Sequence, residues 1–227
     1  MAEDEITTIL LVRHADVHNP GEVVYGRLPR FRLSVTGLEE AERTAQHLRS
    51  EPLAAIYSSP QLRARQTARA IAAEHPGLRV SVTQSLAEVR TSWQGTPNVE
   101  MAARRYNFYD PPGHPADETL DQIAARILRW SAAMLSRHPG QEVVGVSHGD
   151  PIMLARVLFT GGTPSVDALR ARGIYPHKGS VTRLVFTGTG DPTKLPVRVS
   201  LEDPNLEARA GSGADTPWAS ARRSSAR

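Results

Sequence analysis

The chain has 227 residues, 40% of them hydrophobic, which at the usual ~150 residues per domain points to one domain with appendages rather than two complete ones. It contains no cysteine, so disulfide frameworks, thiolate metal sites and thiolate nucleophiles, and with them cysteine-based phosphatases and proteases, are excluded. Its 27 basic and 24 acidic residues nearly balance, and the segment 207–227 supplies Arg209, Arg222, Arg223 and Arg227 against Glu207 and Asp215, so the body offers no basic face for nucleic acid.

Ile6–Val12 is a short, β-branched apolar run ending at charged residues, which predicts a buried strand. Thr36-Gly37-Leu38-Glu39 has capping-box spacing, and Leu38, Ala41, Ala45 and Leu48 follow at helical intervals until Ser50-Glu51-Pro52 stops them. Ala54–Tyr57 predicts a second strand, leading into Ser58-Ser59-Pro60, where a serine cap and a proline open a helix with Ala64, Ala68, Ile71 and Ala72 on one face. Leu78–Val82 alternates as a strand does. Thr91–Gly113, rich in proline, glycine and aromatics, is predicted to be an excursion that roofs a site, with a short helix near Val99–Phe108.

Leu120, Ile123, Ala124, Ile127, Leu128 and Leu135 form an amphipathic stripe ending at His138-Pro139-Gly140. Glu142–Ser147 reads as a strand, Asp150-Pro151 as the start of a helix through Phe159 that Gly161-Gly162 terminates, and Val181–Phe186 and Val197–Leu201 as two further strands. The alternation predicts an α/β three-layer sandwich, a largely parallel central sheet flanked by helices, over residues 1–206. The Ala, Gly, Ser and Arg composition of 207–227 predicts a disordered tail. No apolar run approaches the ~18 residues of a membrane span, and Met1-Ala2-Glu3-Asp4-Glu5 is acidic where a secretory signal is basic, so no membrane contact and a cytoplasmic location are the expectations.

Charged or imidazole residues fall where strands give way to loops, the position at which open α/β sheets gather their sites. They are Arg13-His14, Arg63 just inside the second helix, and His148-Gly149. Side by side, the strands would bring together two guanidinium forks suited to phosphate oxygens and two imidazoles able to supply a nucleophile and a further donor, so a small phosphorylated molecule is the expected partner.

Three segments carry a resemblance: Leu11-Val12-Arg13-His14-Ala15, Ser58-Ser59-Pro60-Gln61-Leu62-Arg63-Ala64-Arg65-Gln66-Thr67, and Val146-Ser147-His148-Gly149-Asp150. With Leu33-Ser34-Val35-Thr36-Gly37 they resemble the histidine phosphatase superfamily, the phosphoglycerate mutase-like fold, from about Ile6 to Phe186. The resemblance implies that His14 is phosphorylated during turnover, that Arg13, Arg63 and His148 hold the phosphoryl group, and that Glu88 in Leu86-Ala87-Glu88-Val89 is the proton donor. Two arginines beside His14 would keep it neutral, backbone N–H groups of the helix starting near Pro151 would add to the phosphate site, and Glu88 should start protonated. No metal or other cofactor is required by that chemistry. Asn19 corresponds to the family's phosphate-contacting asparagine, which in the mutase-like pattern sits one residue further from Arg13, and Ala15 stands where many members have glycine. Tyr25, Arg27, Trp93, Arg104 and His177 are read as lining the leaving-group side.

Other readings compete. Gly145-Val146-Ser147-His148-Gly149 also fits the Gly-x-Ser-x-Gly elbow of serine hydrolases, but only His177 follows His148, with Asp167 just before it, and Arg13, His14 and Arg63 stay unexplained. A non-catalytic phospho-ligand-binding domain needs no proton donor. Mutases of the family carry a longer segment after the donor than the stretch from Glu88 to Glu118, which favours hydrolysis over phosphoryl transfer between substrates. His18, His47, His75, His114 and His138 show no His-x-x-x-His metal pair and read as surface residues; monomer and homodimer both stay open.

Overall fold

The first apolar run forms β1 (Ile6–Arg13), and its alternate side chains enter two different cores: Ile9 and Leu11 on one face, Leu10 and Val12 on the other. A strand buried on both faces has no polar alternation, which is why the run is unbroken. The computed structural model describes residues 5–171, 174–188 and 195–212. Within them lie β2 (Leu53–Ser58), β3 (Val80–Val82), β4 (Glu142–Ser147), β5 (Val181–Thr187) and β6 (Arg198–Glu202), joined with β1 in one sheet of order β3-β2-β4-β1-β5-β6. From β3 to β1 all neighbours are parallel, while β5 and β6 are added antiparallel.

The helices are α1 (Val35–Leu48), α2 (Leu62–Ala73), α3 (Asn98–Ala103), α4 (Leu120–Arg137), α5 (Gly149–Phe159), α6 (Val166–Leu169) and α7 (Leu206–Ser212). Ala45 and Leu48 of α1 and Ala64, Ala68 and Ile71 of α2 pack on Leu10, Val12, Val144 and Val146. On the other face Ile123, Ile127 and Trp130 of α4 and Ile152 to Ala155 of α5 pack on Ile9, Leu11 and Val143. This is the expected three-layer α/β sandwich. Gly145 lets α4 approach: a Cβ there would lie 2.6 Å from the Trp130 ring.

Several local expectations shift. The α1 cap is Ser34, two residues before the predicted start, because its Oγ accepts from Gly37 N at 2.9 Å while donating to Asp16. Neither Ser58 nor Ser59 caps α2, which begins after Gln61, since the Ser59 hydroxyl is engaged by His148 instead. The capping box of α4 is formed by Thr119 and Gln122. The predicted tail boundary at 206 is too early, because α7 continues to Ser212 and Arg209 pairs with Glu40 at 3.2 Å; residues 213–227 lie outside the described residues. Among the described residues no helix is long and apolar enough to cross a membrane.

Candidate active site

The parallel register ends β1, β2 and β4 at one edge of the sheet: Arg13 stands opposite Ser147, and Ser58 opposite Val146. Backbone bonds continue the ladder past the strands, from His14 N to Ser147 O at 3.0 Å and from Ser59 N to Val146 O at 2.9 Å. His14, His148 and, through the first turn of α2, Arg63 are thereby brought together. The His14 and His148 ring centroids are 5.1 Å apart, and Arg63 Nε donates to His14 Nε2 at 3.1 Å. Arg63 Nη2 reaches His148 Nδ1 at 3.1 Å, Gly26 O at 2.9 Å and Glu88 Oε2 at 3.3 Å. Tyr25 lies under the same guanidinium at 4.5 Å, and all of Arg63 is buried.

Hydrogen bonds set the tautomers. His14 Nδ1 faces the Ala15 carbonyl at 2.8 Å and so carries the hydrogen, leaving Nε2 with its lone pair toward Arg63. His148 Nε2 donates to Ser59 Oγ at 2.6 Å, and its Nδ1 accepts from Arg63. Burial pushes His14 well below the ordinary 6.5, and Arg63, His148 and Arg13 push it the same way. Burial and Arg63 bring His148 down to about 4 against an opposing pull from Glu88. Both rings are neutral at pH 7.

Glu88 corrects an expectation. Burial would raise its carboxyl, but the charge and hydrogen bond of His148 in its protonated form, the charge of Arg63 and the Val89 N–H act the other way and hold it well below the ordinary 4.5. With His148 neutral, Arg63 is the partner that keeps it ionised. Glu88 is therefore a carboxylate in this state, not the protonated acid the reading of the sequence assumed.

A cavity of about 340 Å³ opens above this edge. Arg13, Glu88, Gly149, Asn19 and Tyr25 line it, whereas His14, Arg63 and His148 lie beneath with at most 1% exposure. The predicted roof is present, since Thr91, Asn98, Tyr106 and Phe108 of the excursion form part of the wall. Asn19 lines the cavity while its amide closes a local loop with Val23 N and O. Four of the proposed lining residues do not belong to it. Arg27 turns to the Glu88 carbonyl at 2.7 Å and to Glu118 at 3.2 Å, so it braces the Glu88 loop. Trp93 is covered by Arg104, whose guanidinium lies 4.5 Å over the ring, and His177 is absent from the lining. These side chains sit in loops, where direction is set by tertiary partners rather than by spacing.

Asp150, Arg170, Tyr175, Asp16 and Lys178 line the cavity and were not predicted to. Asp150 receives Arg170 at 2.6 and 3.0 Å, Tyr109 Oη at 2.6 Å and Tyr175 Oη at 2.7 Å. Only the place of Asp150 beside the His148-Gly149 segment hinted at this hub. Ser147 is not a candidate nucleophile, because its buried hydroxyl donates to Leu86 O at 2.8 Å and it does not line the cavity.

His14, Glu88 and His148 place one ligand atom each within 4.8 Å, a spacing compatible with a metal ion. Arg63, however, directs N–H groups at His14 Nε2, His148 Nδ1 and Glu88 Oε2, so a guanidinium already fills the position of the cation. Arg13 Nε and Arg63 Nη1 are buried donors without a partner among the described residues. The arrangement suits an anion with several acceptor oxygens.

The sequence pattern of the histidine phosphatase superfamily (branch 1) matches residues 9–195. An uncharacterized protein of Mycobacterium tuberculosis is 35% identical over 195 residues, covering 81% of this chain and 92% of its own. A metal-independent phosphoserine phosphatase of Arabidopsis thaliana is 30% identical over 184 residues, 74% of this chain and 75% of that one. A mycobacterial glucosyl-3-phosphoglycerate phosphatase shares the fold with a TM-score of 0.72 at 23% identity, over 87% of this chain and 99% of that one. Strand-end motifs, sheet order and sequence similarity over most of the chain lead to one assignment: the protein belongs to the histidine phosphatase superfamily.

Proposed function

We propose that the protein is a metal-independent phosphoric monoester hydrolase acting on small phosphate esters through a phosphohistidine at His14. The observation that carries this is the lone pair of His14 Nε2, fixed by the Ala15 contact at Nδ1 and set against a buried guanidinium. A phosphoryl group entering from the cavity takes Arg63 away from Nε2 and Glu88, gaining the unpartnered Nη1 of Arg63 and Nε of Arg13. Loss of Arg63 as its counter-ion then raises Glu88, which takes up a proton beside the dianionic ester. Protonation of Glu88 is thus coupled to substrate arrival rather than present beforehand.

In the first half-reaction the Nε2 lone pair forms a bond to phosphorus, the P–O ester bond breaks, and the leaving oxygen takes the Glu88 proton to depart as an alcohol. In the second, water attacks phosphorus as Glu88 takes its proton; the P–N bond breaks, its electrons return to Nε2, and inorganic phosphate leaves. Arg13, Arg63, His148 and the first turn of α5 at Gly149 neutralise the transferring group. The cation position among His14, Glu88 and His148 is occupied by Arg63, which supports chemistry without a metal. The similarity to a metal-independent phosphoserine phosphatase supports the same reading. Quenching with labelled ester in mid-turnover should trap an acid-labile, base-stable adduct on His14 that is absent in His14→Ala. Turnover without that adduct would overturn the proposal.

A further inference from the structure

Among the described residues three cations line the cavity: Arg13, Arg170 and Lys178. Arg170 is held by both oxygens of Asp150 and is only 4% exposed at its side chain. Lys178 is paired with Asp16, whose other oxygen receives Ser34 Oγ at 2.6 Å. Arg13 stands at the phosphoryl end, beside His14 in sequence and at the edge of the sheet. On the anionic side Asp16 and Asp150 are matched by these partners and Glu88 by Arg63, while Glu22 is exposed at the wall with no ion pair among the described residues. Beyond the phosphoryl clasp, then, every described cation on the wall already has its carboxylate, and the unmatched charge is negative. The remaining wall is uncharged, with aromatic rings and an amide at Tyr25, Tyr106, Phe108 and Asn98 beside aliphatic side chains such as Val24 and Val89. Its volume of about 340 Å³ lies near the lower end of the roughly 300–1,000 Å³ that small ligands occupy.

From this charge balance we infer that the substrate is a small monophosphate whose leaving group carries no second anionic group, an alcohol or polyol rather than a phosphoglyceric acid or a bisphosphate. The inference rests on the phosphatase reading above and narrows it. A carboxylate on the leaving group would give up its water for paired cations and the Glu22 carboxylate, with no free counter-charge among the described residues to replace hydration. A neutral hydroxyl-bearing group loses far less and meets ring faces and an amide.

Glycerol 3-phosphate and 3-phosphoglycerate differ only in CH₂OH against carboxylate, so they isolate the charge. In competition against p-nitrophenyl phosphate, glycerol 3-phosphate should have the higher kcat/KM by about tenfold or more, the scale of one unfavourable charge contact in a partly hydrated site. Asp16→Asn, which releases Lys178, and Glu22→Lys, which reverses the unmatched charge, should each narrow that ratio at least threefold, on the order expected of one partly exposed charge. Equal or better use of 3-phosphoglycerate by the native enzyme, or ratios unmoved in both variants, would overturn the inference and leave the phosphatase reading standing. Failure to hydrolyse any of the three esters would remove the phosphatase reading instead. Calorimetric affinities of the two glycerol-derived esters for His14→Ala, in which no transfer occurs, then decide the charge question: tighter binding of glycerol 3-phosphate supports it, and tighter binding of 3-phosphoglycerate refutes it.

Discussion

Arg63 Nε lies 3.1 Å from His14 Nε2 and donates to it, while Nη2 of the same guanidinium reaches His148 and Glu88. One buried side chain therefore fixes the protonation of three neighbours. Lysine would keep the charge but supply a single ammonium where a fork now serves three acceptors. Arg63→Lys should lower kcat/KM by about 10²–10³-fold, the scale of losing one preorganised donor to a transferring charged group. Steady-state kinetics check this, and a loss below about tenfold would show that charge alone suffices.

The Asp150–Arg170 pair ties the helix that follows His148 to the cavity roof. Arg170 also donates to Tyr106 O at 2.6 Å and Arg105 O at 3.3 Å, two residues held at φ 53° and 51°. Non-glycine residues at such angles persist only where neighbours constrain them. Removing Asp150 would take from the buried Arg170 the carboxylate that now receives two of its nitrogens, so Asp150→Ala should cost about 3–5 kcal/mol of stability. Arg170→Met added to it should recover much of that stability yet still raise KM, because the Tyr106 segment loses its clamp. Denaturant melts and KM against kcat separate the two effects, and a double variant with native KM would show that the clamp does not position the roof.

Gly149 opens α5 under Tyr175, and a Cβ there would lie 2.1 Å from Tyr175 Oη and 2.7 Å from Cζ. The tyrosine is buried and bonded to Asp150, so it cannot simply swing away. Gly149→Ala should destabilise by about 1–3 kcal/mol, the usual cost of overpacking. Tyr175→Phe deletes the nearest atom, so the double variant should be more stable than the sum of the singles predicts. Additive effects in a thermal double-mutant cycle would place the strain elsewhere.

How much of this was legible beforehand follows from how local each signal is. The unbroken run of β1 and the apolar stripe of α4 are written in local periodicity, and both elements stand where they were predicted. The convergence of Arg13, His14, Arg63 and His148 followed from strand ends carrying charge, but the order β3-β2-β4-β1-β5-β6 is a matter of non-local pairing that no window shows. Two hydroxyls flank the start of α1, and the choice of Ser34 over Thr36 depends on Asp16, distant in sequence. Arg27 has the right type and lies near the right loop, yet its direction is decided by Glu118 and the Glu88 carbonyl. The ionisation of Glu88 was misjudged for the same reason, since it depends on how close Arg63 lies.

A group of charges away from the cavity makes stability depend on pH. Arg183 is shared by Glu51 at 2.7 Å, Glu202 at 2.8 Å and Glu142 at 3.7 Å. Burial, then the hydrogen bond and charge of Glu51, raise the Glu142 carboxyl from 4.5 to about 7. A raised carboxyl favours folding while protonated in the native state, so its contribution is complete below pH 4.5 and is lost as pH rises through about 7. Glu142→Gln mimics the protonated form at every pH. It should therefore match the native protein near pH 4.5 and exceed it at pH 8 by about 1–2 kcal/mol, allowing for the partial exposure of the side chain. For a protein of this size that is a gain of roughly 2–8 °C in Tm. Thermal melts of both proteins across this range test the sign: an advantage that shrinks as pH rises would mean that Arg183 satisfies all three carboxylates.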